Sequence, residues 1–223
     1  MKIAPAAVFI VLAAAFSQSI FALPAAPDAK EVARAVDEHY NHLRTLQATF
    51  TEVYQGNGMD RTESGTLWLK KPGKMRWEYR SPREKVFVSD GKQAWFYVPG
   101  DRQVRKTDVK KLEDLRSPLA FLLGKTHLEK ELRGLSLAPD VPRSEAGDVV
   151  LRGVPQGWED RVSQVLLEIT PQSQIRRITI EQVDGSKTEY RLDDMEENQP
   201  QADARFQFTP PPGVETIEGD LGQ

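Results

Sequence analysis

Cysteine is absent from the 223-residue chain. That removes disulfides, thiolate nucleophiles, cysteine metal sites and the acceptor thiol of a lipid anchor together. Basic residues are not in excess either: 30 lysines and arginines stand against 33 acidic residues, a net charge of −3, whereas binding nucleic-acid phosphate calls for the opposite balance. Histidine is scarce, with three in the chain. His39 and His42 lie about one helical turn apart, but Glu38 projects around the helix rather than beside them, so the pair reads as solvated or partly packed rather than as a metal site. No G-x-S-x-G elbow, phosphate loop or glycine-rich dinucleotide fingerprint occurs. The acids Asp193-Asp194 and Glu196-Glu197 read as a solvated turn. A chain this poor in reactive groups is expected to bind rather than catalyse, without a cofactor.

Long apolar runs are confined to the N-terminus. Met1-Lys2 supplies a short positive start, Ile3 to Phe16 is uncharged and apolar, and Ser17 to Ala22 (SQSIFA) is a polar-to-small cleavage region. Residues 1–22 are therefore expected to be a signal peptide cut after Ala22, although Ile20 departs from the A-x-A pattern. An uncleaved anchor is the alternative, since Ile3 to Ala22 is just long enough to span a bilayer. The chain is 28% charged and 39% hydrophobic, a soluble globular balance. No linker or internal repeat divides residues 23–223, which are read as one exported domain.

Secondary structure follows from periodicity. Asp28 and Glu31 make a capping box, and Val32, Val36, Tyr40, Leu43, Leu46 and Phe50 recur at three- and four-residue spacings, so one long helix is expected over 28–50. From there the pattern becomes strand-like. About eleven antiparallel strands are expected, with turns at Gly56-Asn57-Gly58, Pro72-Gly73, Asp90-Gly91 and Asp184-Gly185 and a final strand at Phe206–Thr209. A helical interruption covers Val109–Leu115 and Pro118–Leu123, with Ser117 as cap and Gly124 as stop. A hairpin meander of this length tends to curl toward a barrel too wide for its own side chains to fill. The two helical segments are the candidates to cover it.

The stretch GTLWLKKPGKMRWEYRSP, Gly65 to Pro82, carries more large apolar groups than one buried face needs. With a two-residue Pro72-Gly73 loop, Trp68 faces Trp77 and Lys70 faces Met75, leaving Leu67 and Leu69 on the other side. Around Asp90-Gly91, Val86 pairs with Trp95 and Val88 with Gln93, while Phe87 and Phe96 fall on the opposite face. A single bulge would exchange the faces, but both are apolar in either register. One face is expected to line a core or an open cavity, the other to lie under a lid. The alternative is a thick two-sided core that holds no ligand.

In order along the chain, LQATFTE, GTLWLKKPGKMRWEYRSP, VSDGKQAWFYVPGDRQV, SPLAFLLG and FQFTPPPGVETI resemble the LolA family of periplasmic lipoprotein carriers over nearly the whole mature length. The resemblance implies a mainly β fold, an unclosed half-barrel whose concave apolar face is covered by a helical lid. It implies a monomeric periplasmic chaperone that shuttles acylated lipoproteins to the outer membrane, loaded by an inner-membrane ABC-type extractor and unloaded by an outer-membrane receptor. By matching positions it places Tyr40, Leu43, Phe50, Trp68, Met75, Trp77, Leu119 and Leu122 at the acyl-chain cavity and lid. Lys71 stands where better-known members carry an arginine that clasps the lid, and Met75 replaces an aromatic. A lipoprotein-sensing module like the N-terminal domain of the regulator RseB, or a general lipophile carrier, is the alternative reading.

Overall fold

The computed structural model describes residues 28–110 and 127–219. The signal peptide expected over 1–22 and most of the central helical segment, with Leu119 and Leu122, fall outside those residues.

Helix α1 spans Ala29–His42, with the Asp28 carboxylate accepting from the Lys30 amide at 3.2 Å. It buries Ala33, Val36 and Tyr40 and leaves its charged face outside. The helix ends eight residues before Phe50, where the sequence pattern placed its end. Strand β1, Thr45–Gly56, takes over and buries Leu46, Ala48 and Phe50 at a strict two-residue period. A four-residue spacing satisfies a helix and a strand equally, so Leu46 and Phe50 extend the helical stripe on paper. Thr45, Thr49 and Thr51 and two flanking strands decide for β.

Among the described residues twelve strands form one sheet, β1 being joined by β2 (Met59–Lys70), β3 (Lys74–Ser81), β4 (Lys85–Asp90), β5 (Gln93–Tyr97), β6 (Gln103–Asp108), β7 (Leu132–Leu137), β8 (Val149–Pro155), β9 (Val162–Ile169), β10 (Ile175–Gln182), β11 (Lys187–Glu197) and β12 (Glu215–Glu218). Their order is β12-β6-β5-β4-β3-β2-β1-β11-β10-β9-β8-β7. β7 and β12 are not hydrogen-bonded to each other, so the barrel is unclosed. Every neighbouring pair is antiparallel except β12 with β6. Strand β12 lies beyond the eleven expected. The strand expected at Phe206–Thr209 is instead a 3-10 turn, Asp203–Phe206, followed by extended chain.

The buried core joins α1 to the concave face of the sheet, through Leu46, Leu67, Leu69, Leu151, Leu167, Ile178 and Leu192 among others. A short helix α2, Leu128–Glu131, braces α1, with both Asp37 carboxylate oxygens accepting from the Leu128 amide at 3.1 Å. Among the described residues no helix is long and apolar enough to cross a membrane.

Two registers differ from the sequence reading. Lys70 pairs with Lys74, so the β2–β3 turn has three residues, Lys71 to Gly73, closed by Gly73 at φ +68°. Leu67 therefore faces Trp77, and Leu69 faces Met75. A one-residue slip exchanges every side chain between faces, so Leu67 and Leu69 join Trp77 and Met75 inside, while Trp68 points out. In the next hairpin the loop is Gly91-Lys92, because the Asp90 carboxylate accepts from the amides of Lys92 and Gln93 at 2.7 and 2.8 Å. Phe87 then pairs directly with Phe96 and Val88 with Trp95. That shift is two residues, so the faces stay as the alternation placed them.

Candidate functional site

The concave wall has two halves. Under α1, from β7 across to Met75 and Trp77 on β3, it is packed shut. Tyr40 is wholly buried, its hydroxyl accepts from the Ile175 amide at 3.0 Å, and burial raises its ionisation well above the ordinary phenol range. Leu43, Phe50, Met75 and Trp77 are buried as well. The sequence reading expected a vacant hollow beneath the helices. Among the described residues this half is close-packed protein core instead, because Ala33, Val36 and Tyr40 reach down into it.

On the β3–β6 side the same face is less covered. Tyr79, Phe87 and Phe96 are half-buried, as is Tyr190 on β11. Phe50 links the halves, its ring edge-on to Trp77 at 4.7 Å and to Tyr79 at 4.9 Å. That contact crosses Gly65, the residue between Phe50 and Tyr79 in the cross-strand row. Val109, at the start of the central helical segment, packs with Ala94 against Phe87 and Phe96. The segment thus begins over this aromatic surface.

Lys71 donates from Nζ to the carbonyl of Tyr40 in the last turn of α1. It ties the β2–β3 turn to an end of the helix where carbonyls lack intrahelical partners and a cation is favoured. Partial burial lowers the Lys71 ammonium ionisation below the ordinary lysine value. The neighbouring Lys70 does something else: its Nζ donates to the Gln201 carbonyl at 2.8 Å and to Asp203 at 2.7 Å, on the convex side.

Of the residues the sequence singled out, Tyr40, Leu43, Phe50, Met75 and Trp77 come together in one inner cluster. Trp68 does not. Its indole N–H donates to Gln47 at 2.7 Å, and the Arg205 guanidinium lies over its ring at 4.9 Å, both on the convex face. The misplacement follows from the turn length above. His39 is not at a metal cluster: Nε2 lies 2.9 Å from Glu197 Oε1, and no group of three metal-ligating side chains occurs among the described residues. Glu197 thus belongs to a strand and to α1, not to a solvated turn.

The apolar convex face is covered by the C-terminal segment. Phe206 is fully buried where the 3-10 turn lies on β3 and β4, and Phe208 packs against Trp95 and Tyr97. Asp203 anchors the turn between Lys70 and Lys74, whose hydrogen bonds hold its carboxyl down at about 2. The sequence reading missed this strap, although FQFTPPPGV carries the signal in two aromatics followed by prolines that cannot enter a ladder.

Farther along the inner wall lies a charged group: Glu52 on β1, Arg61 and Glu63 on β2, and Lys85 on β4. Lys85 Nζ is 2.6 Å from Glu63, and the Tyr79 hydroxyl donates to Glu52 at 2.9 Å. Burial pushes the Glu52 carboxyl above its usual range, and burial with the Glu52 charge beside them pushes Tyr79 and Tyr190 up. The sequence reading did not single these residues out. Their signal is a run of charges at inward positions, visible only once the faces are known.

Comparison with known proteins follows the same lines. The family described as outer membrane lipoprotein carrier protein LolA matches residues 41–209. An outer-membrane lipoprotein carrier protein of Nitrosospira multiformis is 30% identical over 182 residues, covering 79% of this chain and 83% of its own. One from Nitrosomonas europaea is 27% identical over 205 residues, covering 89% and 94%. The crystal structure of MucB superposes with a TM-score of 0.51 at 16% identity, over 81% of this chain and 62% of MucB, a likeness of fold alone.

Proposed function

The chain belongs to the LolA family of outer-membrane lipoprotein carriers, and from that premise we propose that it binds lipoprotein acyl chains on its concave wall and carries them across the periplasm. Residues 1–22 direct export, and the remaining chain works as a single monomeric domain that binds without bond-making chemistry. An inner-membrane ATP-driven extractor loads it and an outer-membrane receptor unloads it.

The observation that carries this reading is the half-buried aromatic surface of Tyr79, Phe87 and Phe96 beside the packed core. Each methylene withdrawn from water is worth about 0.8 kcal/mol, so several acyl chains need a large concave apolar surface. The β3–β6 wall offers the entry. The half under α1 becomes available when the helix lifts, exposing Tyr40, Leu43, Phe50, Met75 and Trp77, and Lys71 is the clasp that resists this. Leu119 and Leu122, outside the described residues, are the further lid residues that the family resemblance implies. A lid of limited stability lets the carrier hold its cargo and still release it.

The test is release of lipoproteins from spheroplasts into a soluble complex with the purified mature protein. Phe87→Glu and Phe96→Glu are expected to lose most of that release while their circular dichroism stays that of the parent. Undiminished release by both variants would overturn the assignment.

A further inference from the structure

On the inner wall the charges of β1, β2 and β4 answer one another. Glu63 holds Lys85 Nζ at 2.6 Å and Arg61 Nε at 3.3 Å, and Glu52 accepts from the Tyr79 hydroxyl. Arg105 on β6 differs. It pairs across the strands with Phe96 on one side and Ile217 of β12 on the other, so one inward row reads Trp77, Phe87, Phe96, Arg105, Ile217. Alternation fixes that face. Ala94, opposite Thr107, is buried with Phe87 and Phe96 on the inside, and Arg105 lies two residues from Thr107. The next residues along β6 and β12, Lys106 and Glu218, approach to 3.9 Å on the outside. Arg105 is exposed, and its guanidinium enters no ion pair or hydrogen bond among the described residues. The nearest inward carboxylate by register, Glu215 opposite Gln103, is exposed and does not pair with it.

A guanidinium in water beside half-buried rings is suited to an anionic amphiphile. Phe87 and Phe96 present apolar surface whose burial is favourable, and Ile217, 36% exposed, continues it past the arginine. The guanidinium offers a planar fork that meets a carboxylate through two parallel hydrogen bonds. Lys85, the inward cation on β4, is already taken by Glu63. Two strand spacings separate Phe87 from Arg105, roughly 10 Å. A tail that starts at Arg105 therefore covers both rings before it meets the packed core at Trp77.

We infer that Arg105 is the head-group seat for a fatty acid, with the carboxylate on the guanidinium and the tail over Phe96 and Phe87. A single aromatic row fits one chain, and one guanidinium balances one negative charge. Both favour a fatty acid over a two-chain phospholipid or a membrane surface. The inference goes beyond the carrier reading, because this ligand carries no protein. The two ligands share the wall, so the fatty acid competes with acylated cargo.

Laurate and dodecanol, equal in chain length and different in charge, are titrated against the mature protein at low salt by displacement of an apolar fluorescent dye. Laurate is expected to bind about tenfold more tightly, the scale of one hydrogen bond between charged groups, and added salt shrinks the difference. Arg105→Gln is expected to lower laurate to the affinity of dodecanol, while Arg105→Lys keeps the charge without the fork and retains part of the preference. Equal affinities in the parent, a preference that survives Arg105→Gln, or binding of neither ligand overturns the inference. So does binding to phosphatidylglycerol vesicles with none to laurate, which gives the arginine to a membrane surface. Should circular dichroism show Arg105→Gln misfolded, Arg105→Lys decides: a reduced preference supports the seat, and an undiminished one removes it. Lipoprotein release from spheroplasts by the parent tests the carrier reading separately, so either reading can fail while the other stands.

Discussion

Trp77 is 2% exposed, with its indole against the rings of Phe50 and Tyr190. It therefore belongs to the packed core as much as to any binding surface. Trp77→Ala is expected to cost about 3–5 kcal/mol, read as a lower midpoint in urea, so loss of cargo by that variant would not separate binding from folding. Phe87 and Phe96, half-buried on the same face, separate the two. Glu52 makes a prediction with a sign. Its folded ionisation lies above the unfolded value of 4.5 because burial disfavours the charge. Between those two values the folded state binds more protons, so stability falls as pH rises through the window. Glu52→Gln removes that dependence. Its stability relative to the parent should be higher at pH 7 than at pH 4, measured by urea unfolding at both.

At the scale of elements, the short α1 matters because its last turn is where the β2–β3 turn takes hold. Lys71→Met removes the bond to the Tyr40 carbonyl and is expected to speed hydrogen exchange of the α1 amides several-fold. Lys71→Arg should restore protection, since the guanidinium offers more donors in a fixed fork. Gly65 sets a second constraint. A Cβ there would lie 1.9 Å from the Glu78 carbonyl oxygen, so β2 and β3 could not keep their spacing. Gly65→Ala is expected to destabilise by about 3 kcal/mol, measured by thermal or urea unfolding. The elements themselves were mostly legible. Strands from Thr62 to Gln182 follow alternation and turn residues, and Asp28 marks the start of α1. The end of α1 was not legible, because Leu46 and Phe50 fit both periods.

For the whole molecule, one sheet carries apolar groups on both faces and covers them differently. Helix α1 and Val109 cover the inside, and the strap from Gln199 through β12 covers the outside. Phe206, Phe208 and the pairing of β12 with β6 hold the strap down. Truncation after Pro200 is expected to expose Trp68, Trp95 and Tyr97. The measurable result is increased binding of an apolar dye and association during size-exclusion chromatography, as contiguous exposed apolar surface promotes.

Residue order alone determined that both faces of the central strands are apolar, because alternating and consecutive hydrophobic groups persist in any register. It also determined the hairpin meander and the family resemblance, which are local patterns strung in sequence. Tertiary structure decided which groups lie inside. A single extra residue in the turn at Lys71 to Gly73 moved Trp68 out and Leu67 and Leu69 in. Only three-dimensional packing decided that Ala33, Val36 and Tyr40 of α1 pack into the concavity, that residues near 206 close the convex side, and that Glu52 and Glu63 meet on the inner wall. These contacts join segments far apart in the chain, and a period of two or four residues carries no information about such distances.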